Sequence, residues 1–301
     1  MKEYLSIRRD VAEAIDTRRP VIVLESTIIA HGLPRPKNVE IALRAEQEAR
    51  KLGVVPATVG ILEGRIVIGL KPEQIELLGT QDEVLKVSRK DFAYALEAKR
   101  IGATTVCGTM IAAHLAGIPV FATGGIGGVH RGAQESFDIS ADLLELSRTP
   151  VIVVSAGAKS ILDLPKTLEF LETRGVPVMG FKTPWFPAFY STESDLALDL
   201  SVESPEQVAA IYRTQRALGF EQGLLVANPV PREHEIPRKT MEGYLDTALA
   251  ELDRVGVTGK QVTPFLLSRV LELSGGRSLD ANIELLFNNV RLACRIAAAL
   301  F

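Results

Sequence analysis

The sequence predicts an α/β fold: a three-layer α/β/α sandwich around a mixed, largely parallel central sheet. Three observations predict it. Wholly apolar runs such as Val21-Ile22-Val23-Leu24 and Val151-Ile152-Val153-Val154 lack the alternation of a half-exposed strand, as strands covered on both faces do. These runs alternate with longer stretches of helical periodicity, the rhythm of βαβ units. A tight Glu63-Gly64 turn between two apolar runs adds an antiparallel hairpin, which makes the sheet mixed.

Along the chain, Val21–Leu24 reads as a buried strand. Residues 36–52 read as a helix, with Pro36 near its start and Gly53 just past its end. Residues 57–62 and 65–70 form the hairpin. Residues 92–100 are helical, 104–106 a short strand, 110–115 helical and 119–122 a strand, followed by a glycine-rich loop over 123–131. Strands are expected near 151–154, 176–181 and 224–227, separated by helices at 164–173 and 206–218. From about Met241 onward the pattern is three helices. No repeat, low-complexity segment or Pro/Gly/Ser-rich linker divides the chain, so residues 1–301 are expected to form one catalytic domain with a helical part over about 241–301.

The 301 residues are 47% hydrophobic, ample for one large core. A net charge of −3 gives no electrostatic footprint for nucleic acid or an anionic membrane. Cys107 and Cys294 lie far apart and in no metal or redox spacing, so both are expected as reduced thiols. The amino terminus lacks an apolar signal core, and no segment is apolar enough to span a bilayer. The expectation is a cytoplasmic protein acting on a small molecule.

In such sheets ligands bind beyond the carboxyl ends of the strands. That rule singles out Glu25, the 123–131 loop, Lys159 and Lys182. Glu25 ends a strand between apolar neighbours, where desolvation suits a general acid; capping the next turn is the structural alternative. Lys159 follows an apolar strand and the turn Ala156-Gly157-Ala158, with residues 160–164 read as opening a helix. The dipole of that helix disfavours an ammonium there, so Lys159 is a candidate nucleophile. The glycine loop is no dinucleotide fingerprint, because the third glycine of G-x-G-x-x-G falls at His130. With His130 and Arg131 it is still expected to offer backbone N–H groups to a phosphate. Ser140 reads as a helix N-cap, and a helix start is also a phosphate site. Asp138 just before it suits a hard divalent cation held by one carboxylate plus waters. Lys86 sits among other bases. Trp185, Phe186, Phe189 and Tyr190 crowd a Pro-broken stretch that serves packing or walls a flat ring.

Four long motifs in order resemble the pseudouridine-5′-phosphate glycosidase family, also called indigoidine synthase A-like proteins. They are Glu25-Ser26-Thr27-Ile28-Ile29-Ala30-His31-Gly32-Leu33-Pro34, Thr123-Gly124-Gly125-Ile126-Gly127-Gly128-Val129-His130-Arg131, Phe137-Asp138-Ile139-Ser140-Ala141-Asp142-Leu143 and Ala156-Gly157-Ala158-Lys159-Ser160-Ile161-Leu162-Asp163. The later piece Ser278-Leu279-Asp280-Ala281-Asn282-Ile283 also fits. The resemblance implies Glu25 as proton donor and Lys159 as nucleophile. It implies substrate contacts at Lys86, Val106, Thr123, His130, Ser140, Ala141, Asp142 and Asn282, and a mostly water-coordinated Mn²⁺ on Asp138. It implies a homotrimer that reversibly cleaves pseudouridine 5′-phosphate to uracil and ribose 5-phosphate through a lysine–ribose imine. Two other readings would use the same groups. An aldolase-like Schiff-base lyase needs the lysine but no base pocket, and a non-catalytic sugar-phosphate or nucleotide sensor needs no Glu25–Lys159 pair.

Overall fold

The computed structural model describes residues 2–257 and 262–301. Its strands are β1 (Leu5–Ile7), β2 (Val21–Leu24), β3 (Val55–Leu62), β4 (Arg65–Ile68), β5 (Leu85–Val87), β6 (Gly102–Thr104), β7 (Val120–Ala122), β8 (Ile152–Ser155), β9 (Val178–Phe181), β10 (Leu200–Val202) and β11 (Leu224–Ala227). They form one sheet in the order β1-β4-β3-β2-β7-β8-β11-β9-β10, with β6 also on β3 and β5 on β6. Among the described strands only the β3–β4 and β3–β6 pairs are antiparallel. The β3–β4 hairpin turns through Glu63 at φ 52° and Gly64 at φ 73°, the left-handed pair that suits a two-residue hairpin.

The apolar strands are indeed covered on both faces. On β2, Val21 and Val23 enter one core while Ile22 and Leu24 enter the other. On β8, Val153 parts from Ile152 and Val154 in the same way, as the period of two requires. The helix Arg277–Ala299 lies on one face with Lys37–Lys51 and Pro205–Ala217, contributing Phe287, Ile41 and Val208. The opposite face carries Val106–Ala116, Ala141–Leu146 and Arg238–Val255, through Met110, Leu143 and Met241. Three layers result. After β11 the described residues hold three longer helices, Arg238–Val255, Val262–Leu273 and Arg277–Ala299. None of the described helices is long and apolar enough to cross a membrane.

Three local differences from the sequence reading bear on function. The strand expected at 104–106 ends at Thr104, and the next helix starts at Val106 instead of 110. Thr105 causes this: its side chain accepts from Gly108 N at 3.2 Å and caps the helix. The helix expected from 160 begins at Leu164, capped by Asp163, whose side chain accepts from Lys166 N at 3.1 Å. Lys159 therefore stands in a turn, beyond the reach of that helix's dipole, which fades within the first turn. The pattern also left β1, β5 and β10 unseen, each three residues long.

Candidate active site

Helices carry the chain from β2 to β3 on one side and from β7 to β8 on the other, so β2 and β7 flank a topological switch point. A crevice opens at the carboxyl ends of such strands. Glu25 follows β2 and Thr123 follows β7. Thr123 donates its hydroxyl to Glu25 Oε1, and its own N–H donates to Val154 O at 3.0 Å. Glu25 is only 8% exposed. Burial pushes its carboxyl above the usual carboxylate range, against the opposing pull of Lys159, the Thr123 hydroxyl and Lys86.

The glycine loop does not present its backbone to a ligand in the way expected. Ile126 N donates to Gly157 O at 3.0 Å, Gly127 N to Asp142 Oδ2 at 2.8 Å, Val129 N to Thr167 Oγ1 at 3.0 Å and His130 N to Asp138 O at 3.0 Å. Those four donors are already committed. The loop works as a spacer that brings three segments together: Lys159 N donates to Ile126 O at 3.1 Å and Ser140 N to Gly128 O at 3.0 Å. Asp142 completes the clamp by accepting from Cys107 N at 2.8 Å with its other oxygen. One buried carboxylate thus ties the glycine loop to the start of the Val106–Ala116 helix. A Cβ at Gly127 would run into Ser140 Oγ and lie 2.7 Å from Asp142 Oδ2. Gly127→Ala is therefore expected to cost roughly 1–3 kcal/mol of stability by overpacking and to weaken substrate binding more than a surface Gly→Ala does. Thermal melts and KM check it, and a wild-type KM would contradict it.

These segments enclose a cleft of about 580 Å³. Its walls carry Lys86, Arg89, Lys90, Arg148 and Lys159 together with Glu25, Asp91, Asp138, Asp142 and Glu145. Glu145, itself buried, holds Arg89 by a forked pair of hydrogen bonds at 2.7 and 2.6 Å. Burial alone would push the Glu145 carboxyl up, but Arg89 and Thr149 more than reverse this and hold it below its usual range. His130 is held below its usual value, first by burial and then by Lys86 and Lys159, although Asp138 pulls it up from 3.9 Å. Among the described residues, no cluster of three His, Cys, Asp or Glu could hold a metal alone. Asp138 is an exposed carboxylate on the cleft wall, so a divalent ion held there would take its remaining ligands from water or ligand oxygens.

Comparison with known proteins decides the family. The family described as indigoidine synthase A like protein matches residues 10–299. This chain belongs to the indigoidine synthase A-like family. It is 55% identical over 302 residues to a protein of Paracoccus denitrificans (strain Pd 1222) named pseudouridine-5′-phosphate glycosidase, covering 100% of this chain and 99% of that one. A protein of the same name from Staphylococcus aureus (strain MW2) is 50% identical over 299 residues, with 99% and 97% covered. Among solved structures, the prealnumycin C-glycosynthase AlnA in complex with ribulose 5-phosphate superposes with a TM-score of 0.92 at 37% identity, over 99% of this chain and 97% of that one. An indigoidine synthase A-like protein (TM1464) of Thermotoga maritima MSB8 gives 0.89 at 39%, with 98% and 95% covered. The α/β/α fold is the fold of these relatives.

In this indigoidine synthase A-like chain, most residues singled out by sequence converge. Glu25, Lys86, Val106, His130, Asp138, Ser140, Ala141, Asp142 and Lys159 all line the cleft. Lys86 is placed by the unforeseen β5, paired with Ala103 of β6. Ser140 is the N-cap expected, its side chain accepting from Asp142 N at 3.2 Å. Thr123 is fully buried and meets the site through Glu25. Asn282 lines a narrow neck of about 50 Å³ whose walls also include Glu25, Lys86, Lys159 and Phe189. Phe189 thus walls the neck, while Phe186 is core. Lys182 is outside the cleft, its ammonium 5.7 Å from the Phe181 ring centroid. Of the other asparagines, Asn288 donates to Pro229 O at 3.0 Å. Asn289, 0% exposed, donates to Thr123 O at 2.8 Å and Gly124 O at 3.3 Å. Arg148 and Glu145 lie outside every motif that the sequence singles out, while Asn289 holds the loop backbone and does not line the cleft or the neck.

Proposed function

We propose that the protein cleaves the C–C glycosidic bond of pseudouridine 5′-phosphate, reversibly, to uracil and ribose 5-phosphate. The observation that carries this reading is that Glu25 and Lys159 line both the charged cleft and the neck behind it. A nucleophile and an acid at one junction, with charged walls on one side and a narrow slot on the other, suit a substrate with a phosphosugar and a base. The names of the relatives above agree with it.

The chemistry follows from the bond. A C–C glycoside lacks a nitrogen leaving group, so the two-carboxylate route is a poor fit. Lys159 Nζ attacks C1′ as the free amine, and the C1′–O4′ bond breaks with Glu25 giving its proton to the ring oxygen. The secondary ammonium so formed gives a proton to the Glu25 carboxylate, and the nitrogen lone pair then forms C=N as the C1′–C5 pair leaves with uracil, which takes that proton at C5. Water adds to the imine and returns ribose 5-phosphate and the free lysine, splitting one difficult step into easier ones. The phosphate sits between the Val106 helix start and Ser140, near Lys86 and Arg89, so remote binding energy positions C1′. Asp138 would hold Mn²⁺, which when bound would neutralise phosphate charge. The enzyme acts as a homotrimer in the cytoplasm.

An aldolase-like lyase would use the same lysine without needing the slot, so product identity is the test. Chromatography of a reaction with pseudouridine 5′-phosphate is expected to show uracil and ribose 5-phosphate in equal amounts. Chelation is expected to stop it and Mn²⁺ to restore it. Folded, Mn²⁺-supplied protein that releases no uracil would refute the reading.

A further inference from the structure

Behind the neck lies another cavity, of about 190 Å³. It shares His31, Gly32, Leu267 and Asn282 with the neck, as the neck shares Glu25, Thr27, Lys86 and Lys159 with the cleft. Cleft and rear cavity share no wall residue, so the neck stands between them. The rear cavity lies between the Ile28–Gly32 turn, a single π-helical turn, and the helices Val262–Leu273 and Arg277–Ala299. Such turns recur at functional sites.

The two ends differ in charge. The cleft is lined by Lys, Arg, Asp and Glu side chains. Among the described residues, none of those four types lines the rear cavity; leucines, Pro34, Tyr190, serines and Asn282 do. A phosphosugar belongs in the first environment and is penalised in the second, where a neutral planar heterocycle loses little on desolvation.

Resting on the function proposed above, we infer that the rear cavity is a separate door for the base. Uracil leaves and enters through it, while the phosphosugar uses the cleft. The order of bond breaking makes this useful. When C1′–C5 breaks, the ribose is still linked to Lys159 and its phosphate still fills the cleft. A base in the neck has the sugar in front of it and the rear cavity behind. Water reaches the imine along the path the base has left. In synthesis, uracil can meet the ribose–Lys159 imine without displacing it.

Ser268 is an exposed residue on the rear wall, which makes it a place to shut this door. The Ser268→Cys variant would be treated with a bulky aromatic methanethiosulfonate, then restored with dithiothreitol. The native thiols do not compete: Cys107 and Cys294 are buried, which pushes both thiols up, Cys294 to about 12. Relative to the untreated variant, labelling is expected to slow steady-state uracil release by about tenfold, as a block on product release does. Borohydride-trapped ribose adduct in the first turnover is expected to stay the same. In the reverse direction, KM for uracil rises and KM for ribose 5-phosphate does not. Leu271→Trp, filling the same cavity without a label, is expected to give the same split. Unchanged uracil release from labelled protein and from Leu271→Trp overturns the rear door and leaves the glycosidase reading standing. Absence of uracil from untreated wild-type protein overturns the glycosidase reading itself.

Discussion

Replacing Lys159 by alanine is expected to abolish uracil release, with a loss on the order of 10³-fold or more because the covalent route disappears with the amine. The fold is expected to survive. Lys159 sits in the turn after β8, and what holds that turn is backbone: Lys159 N donates to Ile126 O at 3.1 Å and Leu162 N to Lys159 O at 3.0 Å. Alanine keeps both bonds. The side chain is partly exposed on the cleft wall, so its removal opens no sealed cavity. Three readings separate the nucleophile from a merely electrostatic lysine. Turnover is lost, the thermal midpoint stays near wild type, and borohydride traps no ribose adduct. Lys159→Arg keeps the charge and lacks a usable amine, so it is expected to be as inactive as the alanine variant. Turnover by the arginine variant would mean that Lys159 only supplies charge.

What the sequence made legible, and what it did not, follows from how many residues each feature spans. Strands β2 and β11 are four-residue apolar runs, and β8 is apolar up to Ser155, because both sheet faces are covered, and a run of that kind announces itself. Strands β1, β5 and β10 have three residues each, too few for a period to show. By local pattern Lys86 is consequently one base among several, and the family resemblance alone marks it as a substrate contact, although β5 fixes it on the cleft wall. The start of the Val106–Ala116 helix was missed because Thr104 and Thr105 both favour strands by composition. Only contact with Ser26, whose Oγ accepts from Thr104 N at 2.9 Å, and the Thr105 cap decide where the strand stops. Strand-end position found Glu25 and Lys159, because the sheet's topology alone puts ligands there. Long-range partners such as Glu145 for Arg89, 56 residues away, leave no local trace.

Glu25→Gln is expected to slow cleavage by about 10²–10⁴-fold, the usual worth of a positioned proton donor. At the same time it is expected to stabilise the protein at neutral pH. Gln keeps the oxygen that accepts from Thr123 and cannot carry the charge that burial penalises. The sign follows from linkage. Burial raises the folded-state pKa of Glu25 above its ordinary value of 4.5, so between those two values the native protein holds a proton the unfolded chain has released. Stability contributed by this group is full below the ordinary value and is lost as pH rises through the folded one. Above that window, wild type carries a buried carboxylate at a cost the Gln variant lacks. The difference in thermal midpoint between Glu25→Gln and wild type should therefore grow with pH through the window and shrink toward zero at the acid end. A general acid also needs its proton, so the alkaline limb of wild-type kcat/KM should fall with the same folded-state pKa that the melting curves report. Gln at position 25 removes that limb from whatever activity remains. A midpoint difference that does not change with pH would mean that Glu25 holds no proton to give. A difference that follows pH in step with the rate profile would tie the strain of burying Glu25 directly to its use, the same desolvation that destabilises the fold keeping the proton in place for the ring oxygen.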